Sequence, residues 1–496
     1  MSKQQRLARA FDRLCGLDFT RTLPLLVLAL AFFAVRLPWI GYGHGTDPDA
    51  WRVAMTARYL LDTGDYFPSR LPGNPLHELV MTLFIPGGWI ATNLATAVAS
   101  LAGVWLFARI VKLLALPNQG LLVIGFTFTP LLVINSIATM DYMWTLTILL
   151  GAYYSLITGR PVVAGILLGI AVGFRLQSVI LVLPLTYLLW RQGRRAELLP
   201  FWLATGGAAL LAFAPVLVVY GTRFLNYYDA PVGYQDVLRL LGKEALGVLG
   251  ALGVLAGAAL SLRRFGSLPR DVMSNAHIGA WLLAIAIYFA SFSRLPHEIA
   301  YLVPVFPFAF FVIGRYFTRP ALGIAIGAIL LAGVVDVTTP GSGISPSTLR
   351  TATIGKGLLF SNADTMSGQR RFVEQIVDNP IPAHSVVLTG FIFPQLVVRE
   401  DETLDPRILQ RDYDAIAMLS DRGEAVDAAN DIRYVWLLTY ETFDKLRTQG
   451  YDFYLVPDAG GGTYALYEYR PTIFGATLLN LDTGPSVAEG QAGTDR

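Results

Sequence analysis

Apolar runs long enough to cross a membrane recur from residue 23 to residue 338, each closed by charge, and this recurrence constrains the fold more than any other feature. They cover 23–40, 89–111, 120–137, 140–158, 162–174, 177–190, 199–220, 243–262, 276–293, 299–317 and 321–338. A helix crossing the hydrocarbon needs about 20 apolar residues at 1.5 Å each, fewer where it is kinked or shielded, so the chain is expected to cross about eleven times. Only 15% of the residues are charged, against roughly a quarter in soluble domains, which excludes an ordinary soluble enzyme. An aromatic content of 12% excludes a disordered chain. The single cysteine, Cys15, leaves no disulfide and no multi-cysteine metal site to be made within the chain.

Orientation follows from the basic residues. Lys3, Arg6, Arg9, Arg13 and Arg21 precede the first run and hold the N-terminus in the cytoplasm. No small-residue cleavage site follows that run, whose exit reads Arg36-Leu37-Pro38-Trp39, so it is expected to be retained rather than cleaved. Threading the other runs in order places Arg109 and Lys112, Arg160, Arg191, Arg194 and Arg195, Arg263, Arg264 and Arg270, and Arg315 and Arg319 on the same inner side. Up to residue 338 the inner segments then carry 16 basic residues against 4 acidic, and the outer segments 9 against 11. The runs 162–174 and 177–190 are short and are expected to form a hairpin with Phe174-Arg175-Leu176-Gln177 at its outer tip.

An odd number of crossings places residues 339–496 outside. A linker (339–350) opens with Thr339-Pro340-Gly341-Ser342-Gly343-Ile344-Ser345-Pro346, and the chain from 351 to 496 then changes character. Ser385–Thr389, Tyr434–Leu438 and Phe453–Val456 have the apolar pattern of short buried strands, and 366–377 and 441–449 that of helices. The expected class is an α-helical polytopic membrane protein (1–338) with a structured first outer loop (41–88) and a C-terminal extracytoplasmic α/β domain.

Ionisable residues with a chemical reading gather at the outer lip. The first outer loop contains Asp47-Pro48-Asp49-Ala50-Trp51-Arg52 and, further on, Ser69-Arg70-Leu71-Pro72-Gly73-Asn74-Pro75-Leu76-His77-Glu78. Asp47 before Pro48 is a helix N-cap, with a helix expected over 48–62 whose apolar face carries Val53, Ala57, Leu60 and Leu61. Capping alone accounts for Asp47, and a second carboxylate two residues on keeps a chemical role open. Asp141 opens the fourth crossing, where a cap and a function are equally available readings; carboxylates at such depth are costly. Arg294, His297, Glu298 and Tyr301 cluster between the ninth and tenth crossings. Arginine presents a fork of donors matched to phosphate oxygens, so Arg175 and Arg294 with His297 form a candidate phosphate cradle. Tyr227, Tyr228 and Tyr234 read as an interfacial aromatic belt, Asp336 as a lip residue without chemistry, and Gly460-Gly461-Gly462 as a turn. His384 receives no role.

The acidic Asp47-Pro48-Asp49-Ala50-Trp51 motif, the Ser69–Leu76 turn, Asp141, and the segment Arg294…His297-Glu298…Tyr301-Leu302-x-Pro304-x-x-Pro307 together resemble the GT-C integral-membrane glycosyltransferases over residues 20–338. The last segment is similar to the His-x-Glu-x-Arg-Phe signature of the lipid-phosphate-mannose-dependent branch, with Ala300 and Tyr301 in place of its Arg-Phe pair. The resemblance implies a GT-C-like fold that transfers sugar, with inversion, from a polyprenyl-phosphate donor to a glycan, lipid or protein acceptor. Transfer would take place on the outer face of the plasma (inner) membrane. It implies Asp47 as general base with Asp49 second in line, Asp141 orienting the acceptor, and Arg70, His77, Glu78, Arg175, Arg294, His297, Glu298 and Tyr301 contacting substrate. Any metal held by Asp47, Asp49 and Asp141 would be Mg²⁺ or Mn²⁺. Membrane lipids are expected partners and nucleic acid is not. The alternative is a transporter or flippase of lipid-linked sugars, although no internal repeat of the kind transporters carry is visible.

Overall fold

Helices form wherever the apolar runs occur, and prolines and small residues decide where they break. Among the described residues five are long and apolar enough to cross a membrane: Thr22–Tyr42, Ile85–Leu113, Arg195–Val219, Ala276–Arg294 and Ile299–Tyr316, all but Ala276–Arg294 taken with a flanking 3-10 turn. Six shorter apolar helices accompany them among the described residues: Gln119–Phe128, Tyr142–Ile157, Pro161–Phe174, Leu176–Arg191, Gly247–Leu260 and Arg319–Val334. The computed structural model describes residues 3–70, 72–222, 237, 239–294, 296, 298–338, 352–378, 382–388, 394–395, 422–427, 430–437, 445–455, 465–468 and 477–480. His297, the 339–350 linker, the tyrosines Tyr227, Tyr228 and Tyr234, residues 441–444 and the Gly460–Gly462 turn lie outside these.

The chain divides into two units. One comprises residues 1–41, 93–213 and 231–363; the other comprises 42–92, 214–230 and 364–496. In the first unit the expected run 120–137 is two helices, Gln119–Phe128 and Pro130–Asn135, because Pro130 has no N–H to continue the ladder. The expected break between 162–174 and 177–190 is present. The helix ends at Phe174, Arg175 is extended (φ −158°, ψ 117°), and a 3-10 turn, Leu176–Leu181, leads into Val182–Arg191. The run 299–317 begins as a 3-10 turn, Ile299–Val305, with Pro304 inside it. The last run ends early: the helix stops at Val334 and Val335–Thr338 is a strand, β1, paired antiparallel with β2, Thr353–Lys356. β-Branched Val335, Val337 and Thr338 suit that pairing. Strand β2 therefore belongs to this unit, although it lies past residue 351, where the outer domain was expected to begin.

Lipid gives apolar faces no drive to associate, so close approach and polar ties hold such helices together. A Cβ on Gly165 or Gly169 would lie 2.5 Å from Phe201 O or from the Ala208 Cβ of the helix Leu198–Tyr220. On the helix Gly247–Leu260, a Cβ at Gly253 would sit 2.2 Å from Ala328 Cβ. Buried Arg36 donates from Nε to Ser136 Oγ (2.6 Å) and from Nη2 to Thr127 O (2.9 Å). Asp336, read from sequence as a residue without chemistry, is a buried cap. It accepts from Val248 N and Leu249 N at 3.0 Å each, completing the start of the helix Gly247–Leu260.

In the second unit the loop 41–88 forms two helices, Pro48–Thr63 and Pro75–Met81. Asp47 Oδ1 accepts from Asp49 N at 2.9 Å, as the N-cap reading requires, and Gly64 closes the first helix in the left-handed region (φ +77°). Burial is not confined to the expected face: Ala50 and every residue from Arg52 to Ala57 are buried, while Leu61, expected on that face, is exposed. Toward the C-terminus, β3 (Ser385–Leu388), β4 (Arg422–Asp427), β5 (Ile432–Leu437) and β6 (Asp452–Leu455) form one sheet in the order β4-β5-β3-β6. Strand β3 runs parallel to β5 and β6, and β4 antiparallel to β5. A separate antiparallel pair joins Ala465–Glu468 to Thr477–Asn480. The helix expected over 366–377 spans Leu358–Asp378.

Candidate functional site

Two charged clusters stand out, one in each unit. In the loop 41–88 Asp49 is the second residue of the helix that Asp47 caps, and arginines engage both of its oxygens. Arg70 Nε is 3.3 Å from Oδ2 and Arg52 Nη1 is 4.0 Å from Oδ1. Arg70 reaches Asp49 because Glu78 holds the turn before it. Ser69 N and Ser69 Oγ donate to Glu78 Oε1 at 2.7 and 2.6 Å, and Tyr66 OH donates to Oε2 at 2.6 Å. Burial pushes the Glu78 carboxyl above its usual range, while the Ser69 and Tyr66 bonds and the Arg70 charge oppose that rise. Glu78 and its neighbour His77 are fully buried, and every contact described for Glu78 is to a protein donor, which makes it a clamp for the loop.

The residues just before Asp47 are tied one by one. His44 is 2% exposed, and its Nδ1 lies 3.4 Å from Thr92 Oγ1. Burial lowers its pKa to about 3, so the ring is neutral and carries no phosphate-binding charge. Its ring meets Trp51 and Trp89 edge-on. Trp51 Nε1 donates to Gly45 O at 3.0 Å. Gly43 (φ +140°) cannot be replaced cheaply, because a Cβ there would lie 2.8 Å from the Trp51 ring. Gln369 Nε2 donates to Thr46 O at 3.1 Å, and the next residue, Arg370, lies over the Trp89 ring at 5.9 Å.

In the other unit Asp141 occupies the N-cap position of Tyr142–Ile157 but makes no side-chain cap bond. Its Oδ2 accepts instead from Arg175 Nη1 at 2.8 Å, with the Asp141 side chain 0% exposed. Arg175 sits at the helix break, where its extended backbone lets the side chain reach back, and Nε donates to Gln177 Oε1 at 3.2 Å. Its guanidinium lies over the faces of Tyr142 (4.4 Å) and Tyr301 (4.7 Å), contacts that stabilise a desolvated cation. The structure thus brings together Asp141, Arg175 and Tyr301 from the sequence expectation and adds Tyr142 and Gln177. Glu298 accepts from Ala300 N at 3.3 Å and caps the Ile299–Val305 turn. Arg294 ends its helix exposed to solvent.

Sequence reasoning missed Tyr142, Gln177, Trp89, Thr92, Gln369 and Gln395. Tyr142 and Gln177 lie one and two residues from charges already singled out, so proximity in the chain was a usable signal. Gln369 and Gln395 had none, since Gln369 meets its partner 323 residues away. Among the described residues no three His, Cys, Asp or Glu side chains gather as metal ligands. Asp49 and Asp141 each face an arginine, an arrangement that does not fit a hard divalent cation wanting several oxygens.

No family model and no curated protein matches the chain. Among solved structures it is similar to ArnT from Cupriavidus metallidurans in the apo state, with a TM-score of 0.47 and 17% identity over 86% of this chain and 95% of that one. It is also similar to ArnT from Cupriavidus metallidurans bound to undecaprenyl phosphate, with a TM-score of 0.46 and 16% identity over 74% of this chain and 82% of that one.

Proposed function

We propose that the protein is a membrane glycosyltransferase, moving a sugar from a polyprenyl-phosphate donor to a glycan, lipid or protein acceptor on the extracytoplasmic face. The observation that carries this reading is the first-loop cluster. Two carboxylates two residues apart at the start of one helix stand with Arg52 and Arg70, on a loop tied down residue by residue. In the proposed reaction Asp47 takes the proton of an acceptor hydroxyl as its oxygen bonds to the anomeric carbon. The bond from that carbon to the phosphate oxygen breaks, its electron pair leaves with the lipid phosphate, and the anomeric configuration inverts. Cationic groups held in place beforehand stabilise the charge that develops on the phosphate. Arg70, held against Asp49, is assigned that work. Asp47 is taken as the base and Asp49 as second in line on the resemblance to GT-C glycosyltransferases, which use the first acid of the motif.

The donor class is tested by reconstituting the purified protein in vesicles with a panel of polyprenyl-phosphate sugars and following product by mass spectrometry. Covalent transfer from one of them supports the reading. Movement of lipid-linked sugar across the vesicle without covalent product overturns it in favour of a transporter.

A further inference from the structure

The loop that carries Asp47 begins with glycines at 41, 43 and 45, a composition with high backbone freedom. Its last three residues before the base are nevertheless each held from outside: His44 by Thr92, Gly45 O by Trp51, and Thr46 O by Gln369. The third tie differs from the others because it comes from the C-terminal half of the same unit. The carbonyl of Thr46 and the N–H of Asp47 share one planar peptide. Fixing that carbonyl fixes the peptide plane about which the Asp47 side chain is hung (φ −77°, ψ 128°). Gln369 is itself oriented, since Gln395 Nε2 donates to Gln369 Oε1 at 3.1 Å. Gln395 is 2% exposed, and a buried amide of this kind is costly without a partner. The relay Gln395, Gln369, Thr46 O thus fixes which end of the Gln369 amide faces the loop.

We infer that Gln369 is a positioning residue for Asp47, aligned by Gln395, so that the C-terminal segment sets the aim of the first-loop carboxylate. Its kinetic consequence rests on the transferase reading, while the contact itself can be tested apart from it. Gln369→Glu is nearly isosteric but presents an acceptor to the Thr46 carbonyl; Gln369→Lys restores a donor.

The test uses the full chain reconstituted in vesicles. Gln369→Ala and Gln369→Glu are expected to lower kcat roughly 10- to 100-fold, as a small misplacement of a reacting group does, with donor KM unchanged. Gln369→Lys is expected to recover part of the loss. Gln395→Leu has a smaller effect, and the double variant Gln369→Ala/Gln395→Leu is no slower than Gln369→Ala alone, as expected of two residues acting in series. Hydrogen exchange read in parallel over residues 47–50, at the amides of Asp47, Asp49 and Ala50, is faster in Gln369→Ala. A Gln369→Ala protein that is less thermostable yet keeps wild-type kcat overturns the inference, as does unchanged exchange at 47–50. If no polyprenyl-phosphate donor is turned over by the wild type but exchange at 47–50 rises in Gln369→Ala, the transferase reading fails and the anchoring contact is upheld.

Discussion

Asp47 and Asp141 each stand one residue before a helix, and the structure engages them differently. Asp47 caps its helix through Asp49 N and sits in a loop held by neutral contacts from Thr92, Trp51 and Gln369. Asp141 makes no side-chain cap bond; it is fully buried and ion-paired with an arginine enclosed by two tyrosine rings. Capping position therefore does not decide what an acid does. What its oxygens meet differs: Asp47 accepts from the backbone N–H of Asp49, and Asp141 from the buried guanidinium of Arg175.

The comparison can be broken at several points, the largest effect first. Arg175→Ala leaves Asp141 buried without its cation and is expected to cost about 3–5 kcal/mol of stability, seen as a large drop in Tm in detergent. The double variant Asp141→Leu/Arg175→Met should recover most of it. A Tm for Arg175→Ala within a degree of wild type would show that the pair holds nothing.

The first-loop side should instead respond to acid through His44. Its pKa is lowered from the ordinary 6.5 to about 3 by burial. Between these values the unfolded chain binds a proton that the folded one does not, so stability is full above pH 6.5 and declines as pH falls. The expected slope is up to about 1.4 kcal/mol per pH unit. His44→Gln should flatten that part of the profile in chemical unfolding at pH 7, 5 and 4, and an unchanged slope would show that His44 titrates normally. The smallest effect is the cap: Asp47→Ala is expected to cost about 1 kcal/mol and Asp47→Asn close to none, because asparagine caps equally well. Equal losses in the two variants would contradict the capping geometry.

Much of this was legible in the sequence because it is local. Asp47-Pro48 announces a helix start, Gly64 a stop, and β3, β5 and β6 begin within two residues of their expected places. The break at Arg175 was legible from the shortness of two apolar runs. The break at Pro130 and the strand β1 were not, since a continuous apolar run hides a change of backbone within it. Pairings across long separations were not legible either: Asp141 with Arg175, 34 residues apart, and Gln369 with Thr46. Apolar periodicity says which residues are buried, but it does not say which polar groups meet once they are.

The account's central claim is that the first-loop acid does chemistry while the buried acid holds an arginine. The direct measurement is steady-state sugar transfer by Asp47→Asn in vesicles, with expression and Tm matched to wild type. A fall in kcat of about 10²- to 10⁴-fold, the usual size of a general-base contribution, with donor KM unchanged, is the expected result. Wild-type turnover by Asp47→Asn would contradict the account.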